Sequence, residues 1–140
     1  MSEQLVTHSA EETTRWGREF AKRLTAPVLV LLSGELGTGK TTLIKGIVAG
    51  LGAASEDDVT SPTFTLVHIY GADARRVYHG DLYRIDSFHD FETLGLEDVF
   101  AEPGIVILEW SEKFPLKSPW PQIRLRLEHL GGDLRRISVL

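Results

Sequence analysis

"VLVLLSGELGTGKTTLIKGIV", residues 28–48, passes from an aliphatic run through a glycine-rich turn into a helical pattern. The five aliphatic residues 28–32 read as a fully buried strand of the parallel type. Leu43, Ile44, Ile47, Val48 and Leu51 then mark one face of a helix that stops near Gly52. Between the two, Gly34, Gly39, Lys40 and Thr41 satisfy the pattern G-x-x-x-x-G-K-[ST], in the strand-to-helix context that the pattern requires. Glycines let successive backbone N–H groups curl around an anion, and the helix N-terminus adds its partial positive charge. In such a loop Lys40 reaches the β and γ phosphates of a nucleotide, and the Thr41 hydroxyl completes the shell of a magnesium ion.

Toward the N-terminus, Ser9 followed by Glu12 is a capping-box pattern. Trp16, Phe20 and Leu24 follow at helical spacing as core-facing anchors, and Pro27 closes the segment. Toward the C-terminus, residues 53–63 are polar and carry Ser61-Pro62, a loop. "FTLVHIY" and "RRVYHGDL" are β-rich runs separated by "GADA", a hairpin with a four-residue loop. Ser87 with Asp90 repeats the capping pattern ahead of "FHDFETLGLEDVF", which is helical but interrupted at Gly95. "GIVILEW", residues 104–110, is a second buried strand. Ile123, Leu125 and Leu127 alternate with Arg124, Arg126 and Glu128, one face buried and one wet, until Gly131-Gly132-Asp133 turns the chain back into a terminal hairpin. The expected fold is α/β: a mixed sheet of the P-loop NTPase kind, with parallel core strands and antiparallel hairpins, flanked by helices.

At 140 residues the chain has room for one domain, residues 1–140. Apolar residues at 42% and charged residues at 25% are those of an ordinary globular protein. The longest aliphatic run is too short to span a bilayer, and the N-terminus lacks the basic and apolar regions of a secretory signal, so no membrane association is expected. The absence of cysteine excludes disulfides and thiolate metal sites and fits a cytoplasmic location. A net charge of −5 argues against binding nucleic acid mainly by phosphate neutralisation.

Magnesium binds through one or two carboxylates while keeping several waters. Two acids are placed to serve: Glu109, at the end of the aliphatic run 105–108, and Asp81, at the end of "RRVYHGD". Spacing does not say which of them ligates the metal and which orients an attacking water. Thr63, in the polar loop behind the glycine-loop helix, is either a sensor of the γ-phosphate or part of an ordinary turn. His79 reads as a packed or hydrogen-bonded histidine more readily than as a base. Trp110 reads as core or as a wall of the site rather than a platform for a nucleobase. Arg75-Arg76 and Arg135-Arg136 are solvated strand faces or a basic patch for a partner.

Four signatures now stand in order: "GELGTGKTT", "SPTF", "HGDLYR" and "LGLEDVF…VILEW". With them the chain resembles the TsaE family, also called YjeE, small bacterial P-loop ATPases of the pathway that places a threonylcarbamoyl group on the tRNA adenosine next to the anticodon. The resemblance runs to about Trp110. It implies that Glu35, Leu36, Gly37, Thr38, Gly39, Lys40, Thr41 and Thr42 hold the phosphates of ATP, with Thr63 in a switch-like segment and Trp110 at the nucleotide site. It implies that Asp81 and Glu109 form the acidic pair around Mg2+ and the attacking water, making Lys40, Asp81 and Glu109 the catalytic set. It also implies a partner, the TsaB–TsaD heterodimer, through which tRNA is reached indirectly. Where many members continue Glu-Trp-Pro-Glu, this chain has Glu109-Trp110-Ser111-Glu112, which loosens the constraint on that turn.

The alternative is a small-molecule kinase of the P-loop class, which needs an acceptor pocket and usually an arginine-bearing lid. No insertion long enough for a lid lies between Phe91 and Gly104. A GTPase would need an Asn-Lys-x-Asp reader, and the chain has no asparagine. With no arginine finger clearly placed, hydrolysis is expected to be weak alone and stimulated by the partner.

Overall fold

The computed structural model describes residues 3–35, 39–59, 67–71, 76–82, 85, 87–93, 95–109 and 120–140. In chain order the elements are β1 (Glu3–Thr7), α1 (Ala10–Ala21), β2 (Val28–Ser33), α2 (Lys40–Gly50), a 3-10 turn (Glu56–Asp58), β3 (Val67–Tyr70), β4 (Val77–Asp81), α3 (Phe88–Glu92), α4 (Leu96–Val99), β5 (Ile105–Glu109), β6 (Gln122–Gly131) and β7 (Leu134–Val139). The strands form one sheet in the order β1-β7-β6-β2-β5-β4-β3. β6, β2, β5 and β4 are mutually parallel, and antiparallel pairings attach β3 at one edge and β7 with β1 at the other. This is the expected mixed α/β sheet with a parallel heart.

The alternation of side chains across β2 and β5 divides the core. Val28, Val30, Leu32, Ile105 and Ile107 face α1 and α2, where Phe20, Leu43, Ile44 and Ile47 cover them. Leu29, Leu31, Val106 and Leu108 face the other way, under Trp120, Val99 and Phe100. Two buried faces explain why these strands are aliphatic at every position rather than at alternate ones.

Local signals hold where the chemistry is local. Glu12 N donates to Ser9 Oγ at 3.1 Å, the first half of the capping box. The reciprocal half is displaced by one residue: His8 N donates to Glu12 Oε2 at 2.7 Å, and this contact holds the Glu12 carboxyl below its ordinary pKa. Asp90 N likewise donates to Ser87 Oγ at 3.1 Å. Gly95, at φ +70, divides α3 from α4 as expected of an interrupting glycine. The β3–β4 hairpin is present, with Val67–Tyr70 paired antiparallel to Val77–Gly80, and residues 64–66 and 72–75 of its runs and loop lie outside the described residues.

Two features depart from the local reading. β1 is a strand where no β pattern stands out, and it forms by pairing Leu5 with Ile137 on β7. The Arg23 guanidinium, gripping Glu3 at 2.9 and 3.1 Å, ties this strand to the residues after α1. The second is the contact between α1 and α2. A Cβ on Gly46 would lie 2.1 Å from Thr14 O, and one on Gly17 2.7 Å from Leu43 O, so the helix backbones approach closer than any side chain allows.

Gly46→Ala should therefore destabilise the fold by about 1–3 kcal/mol or more through overpacking. Gly104→Ala, whose added Cβ would meet Arg76 O at an ordinary 3.6 Å, should stay within roughly 0.5 kcal/mol of wild type. Urea midpoints measure both, and equal midpoints for the two variants would contradict the close crossing.

Candidate functional site

Three parallel strands end at one level. Leu32 on β2 lies in register with Glu109 on β5, and Glu109 in turn with Asp81 on β4. Two residues beyond Leu32 the chain reaches Gly34, the first glycine of the loop. Because Leu32, Glu109 and Asp81 share a register row, they point to the same face of the sheet, the face that α2 covers. The carboxylates that the sequence leaves 28 positions apart thus leave neighbouring strands beside the glycine turn.

The glycine loop enters α2 through Gly39, the N-cap, at φ 93 and ψ 24. This left-handed conformation suits glycine, and a glycine cap brings no side chain to the helix N-terminus. Lys40, buried at the first helical position, donates from Nζ to Gly34 O and so closes the loop on itself. Thr41 and Thr42 are half-buried in the first turn of α2, and Glu35 is exposed. Leu36, Gly37, Thr38, Thr63 and Trp110 lie outside the described residues.

Glu109 is 2% exposed and His79 is fully buried. His79 aligns with Ile107 on β5, so Glu109 stands two positions further along the same face, and Glu109 Oε2 lies 2.6 Å from His79 Nε2. The histidine is therefore the packed, hydrogen-bonded residue of the first reading, and its partner is the acid at the site. Leu82 N donates to Glu109 O at 3.1 Å, fixing the chain at the ends of both strands. Asp81 is half-buried.

Asp81, Glu109 and the Thr41 hydroxyl offer hard oxygen donors, a set that suits a small hard cation carrying water and phosphate as its other ligands. Among the described residues no group of three or more His, Asp or Glu side chains gathers into a closed cage.

One contributor escapes the sequence reading. Arg135 of β7 has its Nε 3.7 Å from where a Cβ on Gly39 would sit, and it lines a cleft of roughly 70 Å3 with Ala10, Thr13, Gly39, Thr42 and Asp133. Its Nη1 also donates to Gly132 O and Leu134 O, at 2.8 and 3.0 Å. The terminal hairpin reaches the glycine loop because β6 pairs with β2, a pairing with no local signature. The sequence signal was the pair Arg135-Arg136, which reads as a solvated strand face or a basic patch for a partner.

A family model, "Threonylcarbamoyl adenosine biosynthesis protein TsaE", matches residues 7–137. A protein of that name from Treponema pallidum is 35% identical over 134 residues, which cover 96% of this chain and 97% of that one. Another from Haemophilus influenzae is 36% identical over 131 residues, 90% of this chain and 81% of that one. Among solved structures, the crystal structure of YdiB from Bacillus subtilis superposes with a TM-score of 0.72 at 28% identity, covering 99% of this chain and 84% of that chain. No helix among the described residues is long and apolar enough to cross a membrane.

The left-handed cap gives a direct test of the loop. Gly39→Ala should cost about 1–2 kcal/mol of stability from backbone strain, since its Cβ meets nothing closer than 3.7 Å. A denaturation midpoint unchanged from wild type would contradict the conformation.

Proposed function

The chain belongs to the TsaE family, and from that membership we propose that it is a magnesium-dependent ATPase that assists a TsaB–TsaD complex in threonylcarbamoyl modification of the tRNA adenosine next to the anticodon. The observation that carries this reading is the shared register of Leu32, Glu109 and Asp81, which stands two acids beside a glycine loop whose lysine opens α2. The relatives named for this biosynthesis supply the pathway.

In this reading the amides around Gly39 and the start of α2 hold phosphate oxygens, and Lys40 exchanges Gly34 O for the β and γ phosphates. Thr41 Oγ1 and one acid of the pair hold magnesium, which when bound neutralises charge on the phosphates. The other acid orients the attacking water, and burial keeps Glu109 from competing solvent. Thr63 belongs to the segment that answers to the γ-phosphate. Turnover is slow in the isolated chain and rises on the partner complex, and tRNA is met only through that complex. A small-molecule kinase remains the rival chemistry, and release of inorganic phosphate without any phosphorylated acceptor separates the two.

Reconstitution of tRNA modification with TsaB and TsaD, with and without this chain, tests the proposal. Modification that proceeds beyond one cycle only when the chain and ATP are present supports it; no effect of the chain contradicts it. Lys40→Ala and Thr41→Ala should weaken Mg-ATP binding by about tenfold or more, as loss of a charge-assisted contact does. Asp81→Ala and Glu109→Ala should lower turnover by roughly 10²-fold or more with a smaller change in nucleotide affinity. Unchanged partner-stimulated hydrolysis in Glu109→Ala would remove that residue from the chemistry.

A further inference from the structure

His79 is completely buried one strand away from the site, and its ring touches the acid that the proposed ATPase depends on. An ionised Glu109 can only accept, so in this contact Nε2 is then the atom that carries the proton. The other ring nitrogen, Nδ1, is buried with no hydrogen-bond partner among the described residues. A leucine or valine at this position on β4 could offer the buried Glu109 carboxylate no hydrogen bond.

The ring is held from the edge of the sheet. His68 pairs with His79 across the β3–β4 ladder, with ring centroids 6.5 Å apart at 88°. Tyr70 lies over the ring at 6.5 Å and 29°, and the Tyr70 hydroxyl stands 3.1 Å from His68 Nδ1. With these two rings beside it, the imidazole sits with Nε2 toward Glu109. On the acid's side, that contact engages Oε2.

We propose that His79 is a positioning residue for Glu109, whose Nε2–H holds the carboxylate in the orientation that the strand-end site uses. The inference rests on the reading of that site as an ATPase centre. It assigns His79 no contact with nucleotide, metal or water. Partners one layer behind a functional acid, as His79 is here, typically change activity or metal affinity by about 10–100-fold when removed.

Three substitutions, His79→Leu, His79→Gln and Glu109→Gln, together with the double variant H79L/E109Q, test it. Turnover is corrected for the folded fraction at each condition. H79L should lower kcat about tenfold or more with KM for ATP within roughly threefold, the split of an interaction used in the transition state. H79Q, which can still offer an N–H to the carboxylate, should recover most of the loss. The double variant should be no slower than E109Q, because the two residues act as one unit. An unchanged kcat in H79L, a H79Q as slow as H79L, or additive losses in the double variant would each overturn the inference.

Nitrogen NMR of the histidine ring supplies a readout independent of turnover. The wild-type chain should show His79 as the Nε2–H tautomer, with the Glu109 carboxyl resonance displaced in H79L and restored in H79Q. An Nδ1–H tautomer, or a Glu109 resonance indifferent to residue 79, overturns the inference. Absence of ATP turnover in the wild type with its partner complex would instead defeat the ATPase reading, and the NMR result would still decide whether His79 positions Glu109.

Discussion

The parallel register across β2, β5 and β4 is the constraint on which the rest depends. Leu32, Glu109 and Asp81 sit in one row because backbone hydrogen bonds of three parallel strands lock their relative height. A shift by one residue in any of them would turn its side chains to the opposite face, moving Glu109 or Asp81 away from α2 and the glycine loop. What makes such a shift costly is the buried acid, because a slip of β5 would turn Glu109 away from His79 and toward the apolar face of Leu29, Leu31, Val106 and Leu108. Core packing and site geometry are therefore the same fact seen from two ends of the strands. On the face that α2 covers, the bare backbones at Gly17 and Gly46 set how closely α1 and α2 lie side by side.

At the strand ends the fold accepts costs that a purely structural core would avoid. Glu109 is nearly inaccessible and its one carboxyl oxygen is engaged by a buried histidine. Burying a carboxylate is tolerated only with hydrogen-bond partners, and removing one partner of such a pair is far more damaging than replacing both. The arrangement gives the acid a single orientation in an environment poor in water, where its electrostatic influence on a bound charge is greatest. Lys40 follows the same logic: its ammonium is buried and satisfied by Gly34 O, at the mouth of the loop it is proposed to serve.

Much of this was legible in the chain. The strand–glycine loop–helix unit, the second aliphatic strand, both hairpins and the break at Gly95 all rest on local chemistry, and each appears where its residues place it. The family resemblance carried by "SPTF" and "HGDLYR" agrees with the family model that spans residues 7–137. What stayed hidden depends on pairing across the sequence. β1 has only Leu5 and Val6 as apolar signal, and it exists because β7 offers an open edge. Arg135 reaches Gly39 only because β6 lies against β2. The His79–Glu109 contact spans 30 positions and follows from the register of β4 on β5, which residue types alone do not specify. Thr63 and Trp110, named from the sequence, fall outside the described residues.

The central claim is that this register builds one site for a nucleotide and its metal from the glycine loop and two strand ends. A crystal structure of the chain with magnesium and a slowly hydrolysed ATP analogue tests it most directly. The account predicts an octahedral ion with Thr41 Oγ1 at about 2.0–2.1 Å, and with Asp81 or Glu109 in its shell directly or through water. Phosphates bound elsewhere, or a metal shell that reaches neither acid, would contradict it.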